Sequence, residues 1–175
     1  MKFYTKLIEI VYNSSSISDI SNKIMSYDIY CYQSHLGKPD LEEALAAIEI
    51  IDEENRSATD PTIKVAIAKA LKDYNPRLEQ FEFDYEQIAR LQGINIEEAK
   101  KNFNHIELNT PEGDLATQIT VFDNNVSINI PYWYTGEQSE KVFKQVAAYT
   151  KIIRQTAGYF VYDPQTESAY DPLER

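Results

Sequence analysis

The stretch Leu115–Pro164 constrains the fold more than any other part of the chain. Val126, Ile128 and Ile130 alternate with Ser127 and Asn129, the period of two that marks a strand with one buried and one polar face. Ahead of it, Ala116–Phe122 is a second β-rich run, with Ile119 and Val121 on one side and Thr120 and Phe122 on the other. The intervening Asp123-Asn124-Asn125 favours positive φ, which a tight hairpin requires. Beyond Pro131 the period changes. Val142, Val146, Tyr149 and Ile153 recur at helical spacing, with Phe143 and Ile152 widening the stripe, and predict a long helix over about Glu137–Thr156. Thr135 stands where a cap belongs, Gln138 completes a capping box, and Gly158 is the expected C′ residue. Tyr159–Tyr162 then returns as a strand, which Asp163-Pro164 stops.

The upstream chain adds strand and helix signals. Tyr27–Tyr32 is aromatic and β-rich and reads as a strand. After Pro39-Asp40, the residues Leu41, Leu45, Ile48 and Ile51 predict the core face of a helix, with Glu42, Glu49 and Glu53 on its solvated side. Asp60-Pro61 opens a second helix, lined by Ile63, Ile67, Leu71 and Tyr74 and ended by Asn75-Pro76. Leu78–Phe83 reads as a short strand or an extended connection, and Ile106–Leu108 is a candidate short strand. Between them Asp84 caps a helix to about Gln92, Gly93 ends it, and Asn95 caps another over Ile96–Phe103. Met1–Ile24 carries two short helical stripes and reads as an N-terminal helical arm preceding a single α+β domain over residues 25–175.

Short un-knotted connections and right-handed crossovers place Tyr27–Tyr32 and Tyr159–Tyr162 in one sheet. The expected fold is a ferredoxin-like α+β sandwich: an antiparallel sheet of four to five strands, helices on one face, and Asp84–Phe103 inserted as a helical hairpin.

Charge narrows the function classes. With 28 acidic against 17 basic residues the net charge is −11. Nucleic-acid binding needs cations that replace phosphate counterions, so this balance argues against it, and against an anionic membrane surface. It suits solubility first and a basic protein partner second, and leaves a homo-oligomer open. The single cysteine, Cys31, lies in a strand pattern and reads as a small buried hydrophobe. It permits no intrachain disulfide, which fits the cytoplasm. No apolar run approaches the ~20 residues that span a bilayer, and Glu9 interrupts the first apolar segment, which makes a poor signal peptide.

No set of residues reads as a catalytic centre. His35 and His105 lack a second ligand at a metal spacing, and the five glycines form no phosphate loop. There is no Gly-x-Ser-x-Gly elbow. Asp52-Glu53-Glu54 reads as a solvated helix end. No catalytic residue, metal or cofactor is therefore expected. Ala89, Gly93, Asn95 and Ala99 have the spacing of a helix-turn-helix, but Glu97 and Glu98 would face the phosphates, so a structural helical hairpin is the expectation. Pro131-Tyr132-Trp133-Tyr134 is the remaining feature. Three adjacent aromatics cannot all enter one core; they either close its bottom beneath the long helix or stand at a rim, where Tyr and Trp anchor partners. Tyr132, Trp133 and Tyr134, together with Glu42, Glu49 and Glu53, are the candidate partner-binding residues.

Met25-Ser26-Tyr27-Asp28-Ile29-Tyr30 and Tyr159–Gln165 (Tyr-Phe-Val-Tyr-Asp-Pro-Gln) carry a resemblance. The chain is similar, over about Met25 to Gln165, to a loose group of uncharacterised bacterial proteins that begin Met-Ser-Tyr-Asp-Leu-Tyr and end in a Tyr-Asp-Pro-Gln strand. Ile119–Tyr134 resembles one subset of them. The first 24 residues depart from the pattern. The group carries no established activity to this chain; small acidic bacterial α+β proteins of this style include toxin-neutralising immunity proteins. The leading expectation is a non-enzymatic binding protein. The alternatives are a small-ligand sensor, an enzyme, or a helix-turn-helix DNA binder.

Overall fold

The computed structural model describes residues 26–49 and 61–174. The arm expected over residues 1–24 lies outside them, as do Ile51, Glu53 and the Asp60 cap. In chain order the elements are β1 (Ser26–Tyr32), α1 (Leu41–Glu49), α2 (Pro61–Tyr74), β2 (Glu79–Gln80), α3 (Tyr85–Gln92), α4 (Ile96–Asn102), β3 (Ile106–Asn109), β4 (Gln118–Val121), β5 (Asn125–Pro131), α5 (Gly136–Ala157), β6 (Phe160–Asp163) and β7 (Ser168–Tyr170).

The strands form one α+β sheet in the order β2-β3-β4-β5-β1-β6-β7, with every neighbouring pair antiparallel. Seven strands stand where four to five were expected, because both edges are extended by very short strands. On one side the two-residue β2 pairs with β3. On the other, Asp163-Pro164 ends β6 as expected, but the chain turns back at Glu167, whose φ is 49°, and lays β7 against β6. The last strand lies beside the first, with Tyr30 opposite Tyr162 and Tyr32 opposite Phe160.

The hairpin at the centre follows the alternation. Val126, Ile128 and Ile130 of β5, Ile119 and Val121 of β4, and Ile29 and Cys31 of β1 point to one face and are buried. Ile67 and Leu71 of α2 and Val142, Val146, Tyr149 and Ile153 of α5 close over them. Fully burying one such aliphatic side chain contributes about 1.5–3 kcal/mol, so this layer dominates the stability. Lys64 of α2 is buried and donates its Nζ to Asp123 Oδ1 and to Asn104 O, both at 2.7 Å, tying the helix to the β4–β5 turn.

α5 ends within one residue of the expected positions. Gly158 takes the left-handed conformation at φ 75° and returns its N–H to Arg154 O at 2.9 Å. The capping box does not form: Thr135 occupies the cap position, yet its hydroxyl makes no cap hydrogen bond. Thr135, Gly136, Glu137 and Gln138 are all exposed, so water can satisfy the first N–H groups, and Glu137 complements the helix dipole.

The helices do not share one face. α1 lies on the opposite side of the sheet, where Ala44 packs with Tyr32, Phe160 and Tyr162, flanked by Ala47 and Ile48. Its expected core residues Leu41 and Leu45 are 41% and 39% exposed. The large rings rising from β1 and β6 already fill the space, so the helix approaches through its alanines. The α3–α4 hairpin forms as read. Asp84 accepts from Gln87 N, Asn95 accepts from Glu98 N, Gly93 turns the chain at φ 69°, and Ala89 and Ala99 are buried. No helix among the described residues is long and apolar enough to cross a membrane.

Candidate contact site

β5 leaves the sheet at Pro131, which pairs with Ser26 at the start of β1. The next three residues part company. Tyr132 and Trp133 sit in a turn, 61% and 49% exposed, with ring centroids 5.9 Å apart and planes at 72°. Tyr134 folds inward against the core, and its hydroxyl accepts a hydrogen bond from Ala116 N. One aromatic thus closes the core and two stand at the rim.

Between this rim and α5 lies a cavity of about 260 Å³. Its walls include Tyr27, Tyr132, Tyr134 and Phe143, with Ser26 and Gln165 at one side. The Tyr27 and Phe143 rings meet edge to face at 4.8 Å, a favoured aromatic geometry. Two carboxylates are bonded to the cavity wall. Tyr27 Oη donates to Asp163 Oδ2 at 2.6 Å, and Ser26 Oγ donates to Asp28 Oδ1 at 2.6 Å. Asp163 is buried, and its Oδ1 accepts from Gln165 N at 2.9 Å. The Gln165 amide nitrogen, turned toward the same group, lies 2.8 Å from Asp163 Oδ1 and 3.1 Å from Asp28 O. Burial, and then the hydrogen bond to Asp163, push the Tyr27 phenol well above its ordinary pKa.

These bonds join the two ends of the chain that carry the sequence resemblance. Tyr27 and Asp28 belong to the first motif, Asp163 and Gln165 to the last. Sequence reasoning placed the two strands together but missed the link between their side chains; the one available signal was the recurrence of Tyr and Asp in both motifs.

The acidic candidates stand elsewhere. Glu42 is exposed in the first turn of α1 and Glu49 is that helix's last residue, while Glu53 lies outside the described residues. α1 is anchored at the far end of β1. There the Tyr32 hydroxyl donates to Asp40 O and accepts from Asp40 N, both at 2.8 Å, and Asn125 Nδ2 donates to Ala47 O at 3.2 Å. Tyr32 pairs with Asn125, whereas Ser26 pairs with Pro131, so the length of β1, about 20 Å at a strand's rise, separates α1's anchor from the rim.

Other reactive groups take structural places. Cys31 is fully buried and burial pushes its thiol pKa up, away from nucleophilic use. The His105 ring lies among Phe83, Phe122 and Phe103, at 4.9, 5.3 and 6.2 Å. His35 is exposed, and neither histidine lines the cavity. Among the described residues no three His, Cys, Asp or Glu side chains are grouped to hold a metal. Compared with known proteins, the chain matches no family model, no curated protein and no solved structure.

Proposed function

We propose that this is a non-enzymatic, cytoplasmic binding protein that holds a basic protein partner against the Tyr132–Trp133 rim, in the manner of a toxin-neutralising immunity protein. One observation carries the reading: two large aromatic side chains, Tyr132 at 61% and Trp133 at 49%, remain exposed at the end of a strand locked in the middle of the sheet. Such rings on a rigid support supply contact area at little entropic cost, and Tyr and Trp are enriched among the residues that dominate interfaces. The net charge of −11 steers a basic partner toward the chain and makes association sensitive to salt. Glu42 and Glu49 serve this long-range steering, since α1 is anchored away from the rim, and Glu53 adds its charge to the same balance. The fold reading that goes with it is a ferredoxin-like unit made of β4-β5-β1-β6 with α2 and α5 on one face. The α3–α4 hairpin and the strands β2, β3 and β7 are then additions to it.

Capture from lysate of the source cell tests the proposal. The wild-type chain, immobilised at low salt, is expected to retain a basic protein that moderate salt elutes and that the Tyr132→Ala/Trp133→Ala double variant fails to retain. Identical protein sets on both columns, or none on either, would overturn it.

A further inference from the structure

Resting on that reading, we infer that the cavity between the rim and α5 receives one lysine or arginine side chain of the basic partner. Its size is the first argument. About 260 Å³ admits one long side chain and is too small for a folded element. Its lining is the second. Tyr27, Tyr132, Tyr134 and Phe143 line it, and aromatic faces attract an ammonium or guanidinium group, more strongly when it is desolvated.

The charge around it is the third argument, and it selects a cation over a neutral aromatic group. Among the described residues no lysine or arginine lines the cavity. One of its wall residues, Tyr27, is bonded directly to the carboxylate of Asp163. Among the described residues the donors to Asp163 are all uncharged: the Tyr27 hydroxyl, the Gln165 N–H and the Gln165 amide. A buried carboxylate that is hydrogen-bonded without a countercharge leaves negative potential at the cavity's edge. A phenylalanine would satisfy the rings and do nothing for that potential; a lysine or arginine answers both. The lysines of the neighbouring helix, Lys141 and Lys144, point to water, and Lys141 is paired with Glu137 at 2.6 Å.

Short peptides separate charge from shape. Acetyl-Gly-Arg-Gly-amide, its lysine counterpart, the uncharged isostere with citrulline and a phenylalanine version would each be titrated into the ¹⁵N-labelled full chain. The amide signals of Ser26, Ser139 and Gln165 are the readout. The arginine and lysine peptides are expected to shift these signals saturably, and citrulline to bind about tenfold more weakly, the order that a partly desolvated cation–π contact supplies. Phe143→Leu, which removes the ring and keeps apolar volume, and Asp163→Asn, which removes the charge and keeps an acceptor, should each weaken the arginine peptide several-fold. Citrulline or phenylalanine peptides binding as well as arginine, or no shift at the lining residues, would overturn the inference. If a basic protein is retained on the column while these peptides leave the cavity unmoved, the cavity assignment fails and the partner reading stands. If the peptides bind and no basic protein is retained, the partner reading fails and the basic-group site stands.

Discussion

On one face of the sheet Ile29, Ile128, Ile119 and Leu108 stand in a single row across four strands, closed from water by α2 and α5. One residue away, on the other face, Asp28, Asn129, Gln118 and Asn109 form the matching row. The same backbone register serves both. In the apolar row a slip by one residue would exchange every side chain for a polar one, so burial specifies the register. In the polar row Asn129 Nδ2 donates to Asp28 Oδ1 at 2.7 Å, while Asn109 Nδ2 donates along its own strand to Glu107 Oε1 at 2.8 Å. The first row holds the fold and the second is compatible with it. Equal truncations in the two rows should therefore have unequal costs.

Ile128→Ala should give the largest effect, a loss of about 2–5 kcal/mol from lost burial plus a cavity, read as a fall in the urea midpoint at unchanged slope. A loss below 1 kcal/mol would break the claim that this row holds the sheet together.

The seam between the two faces comes next. Arg154 of α5 lies with its guanidinium 4.1 Å over the Phe160 ring and donates Nε and Nη2 to Asp171 Oδ2 at 3.0 and 2.8 Å. That hydrogen bonding lowers the Asp171 pKa below its ordinary value. A carboxylate depressed in the folded state adds stability that is present above its unfolded value, about 3.9, and lost as pH falls through the folded one. Asp171→Asn should cost about 1.5–3 kcal/mol at neutral pH, the range for hydrogen bonds to charged groups. The gap to wild type should close progressively below about pH 4. A gap that persists unchanged into acid would remove the ion pair from the explanation.

Asn129→Ala should have the smallest effect, about 1 kcal/mol for one hydrogen bond, because Asp28 keeps Ser26 Oγ as a donor. Chemical denaturation reads it, and a loss equal to that of Ile128→Ala would erase the distinction between the rows.

The extent to which these features were legible follows from their range. α5 was readable almost to the residue because its stripe and its terminal Gly158 are local signals. So was the α3–α4 hairpin, whose caps Asp84, Gly93 and Asn95 act within a few residues. α1 was misjudged because apolar residues lie on more than one side of it. Leu41 and Leu45 suggest one stripe and Ala44 and Ala47 another, and only the bulk of Tyr32, Phe160 and Tyr162 decides between them. β7 is three residues long and has no signal apart from the strand it pairs with. At the candidate site, three consecutive aromatics announced a conflict with any single core. The Tyr27–Asp163 bond that supports the cavity joins residues 136 positions apart, and its one trace in the sequence is the recurrence of Tyr and Asp in both motifs.

By itself the sequence determined the alternating central strands, the long helix after them, the acidic balance and the absence of any recognisable catalytic motif. These rest on period, composition and short-range backbone preference, which act within a turn or a strand. The tertiary structure decided that α1 sits on the second face, that both sheet edges gain a strand, and that Tyr134 turns inward while Tyr132 and Trp133 stay out. It also decided that Ser26, Tyr27 and Gln165, from the first and last motifs, build one cavity wall. Those outcomes depend on which surfaces fit together once the elements exist, and that competition for buried space is settled only when distant residues meet.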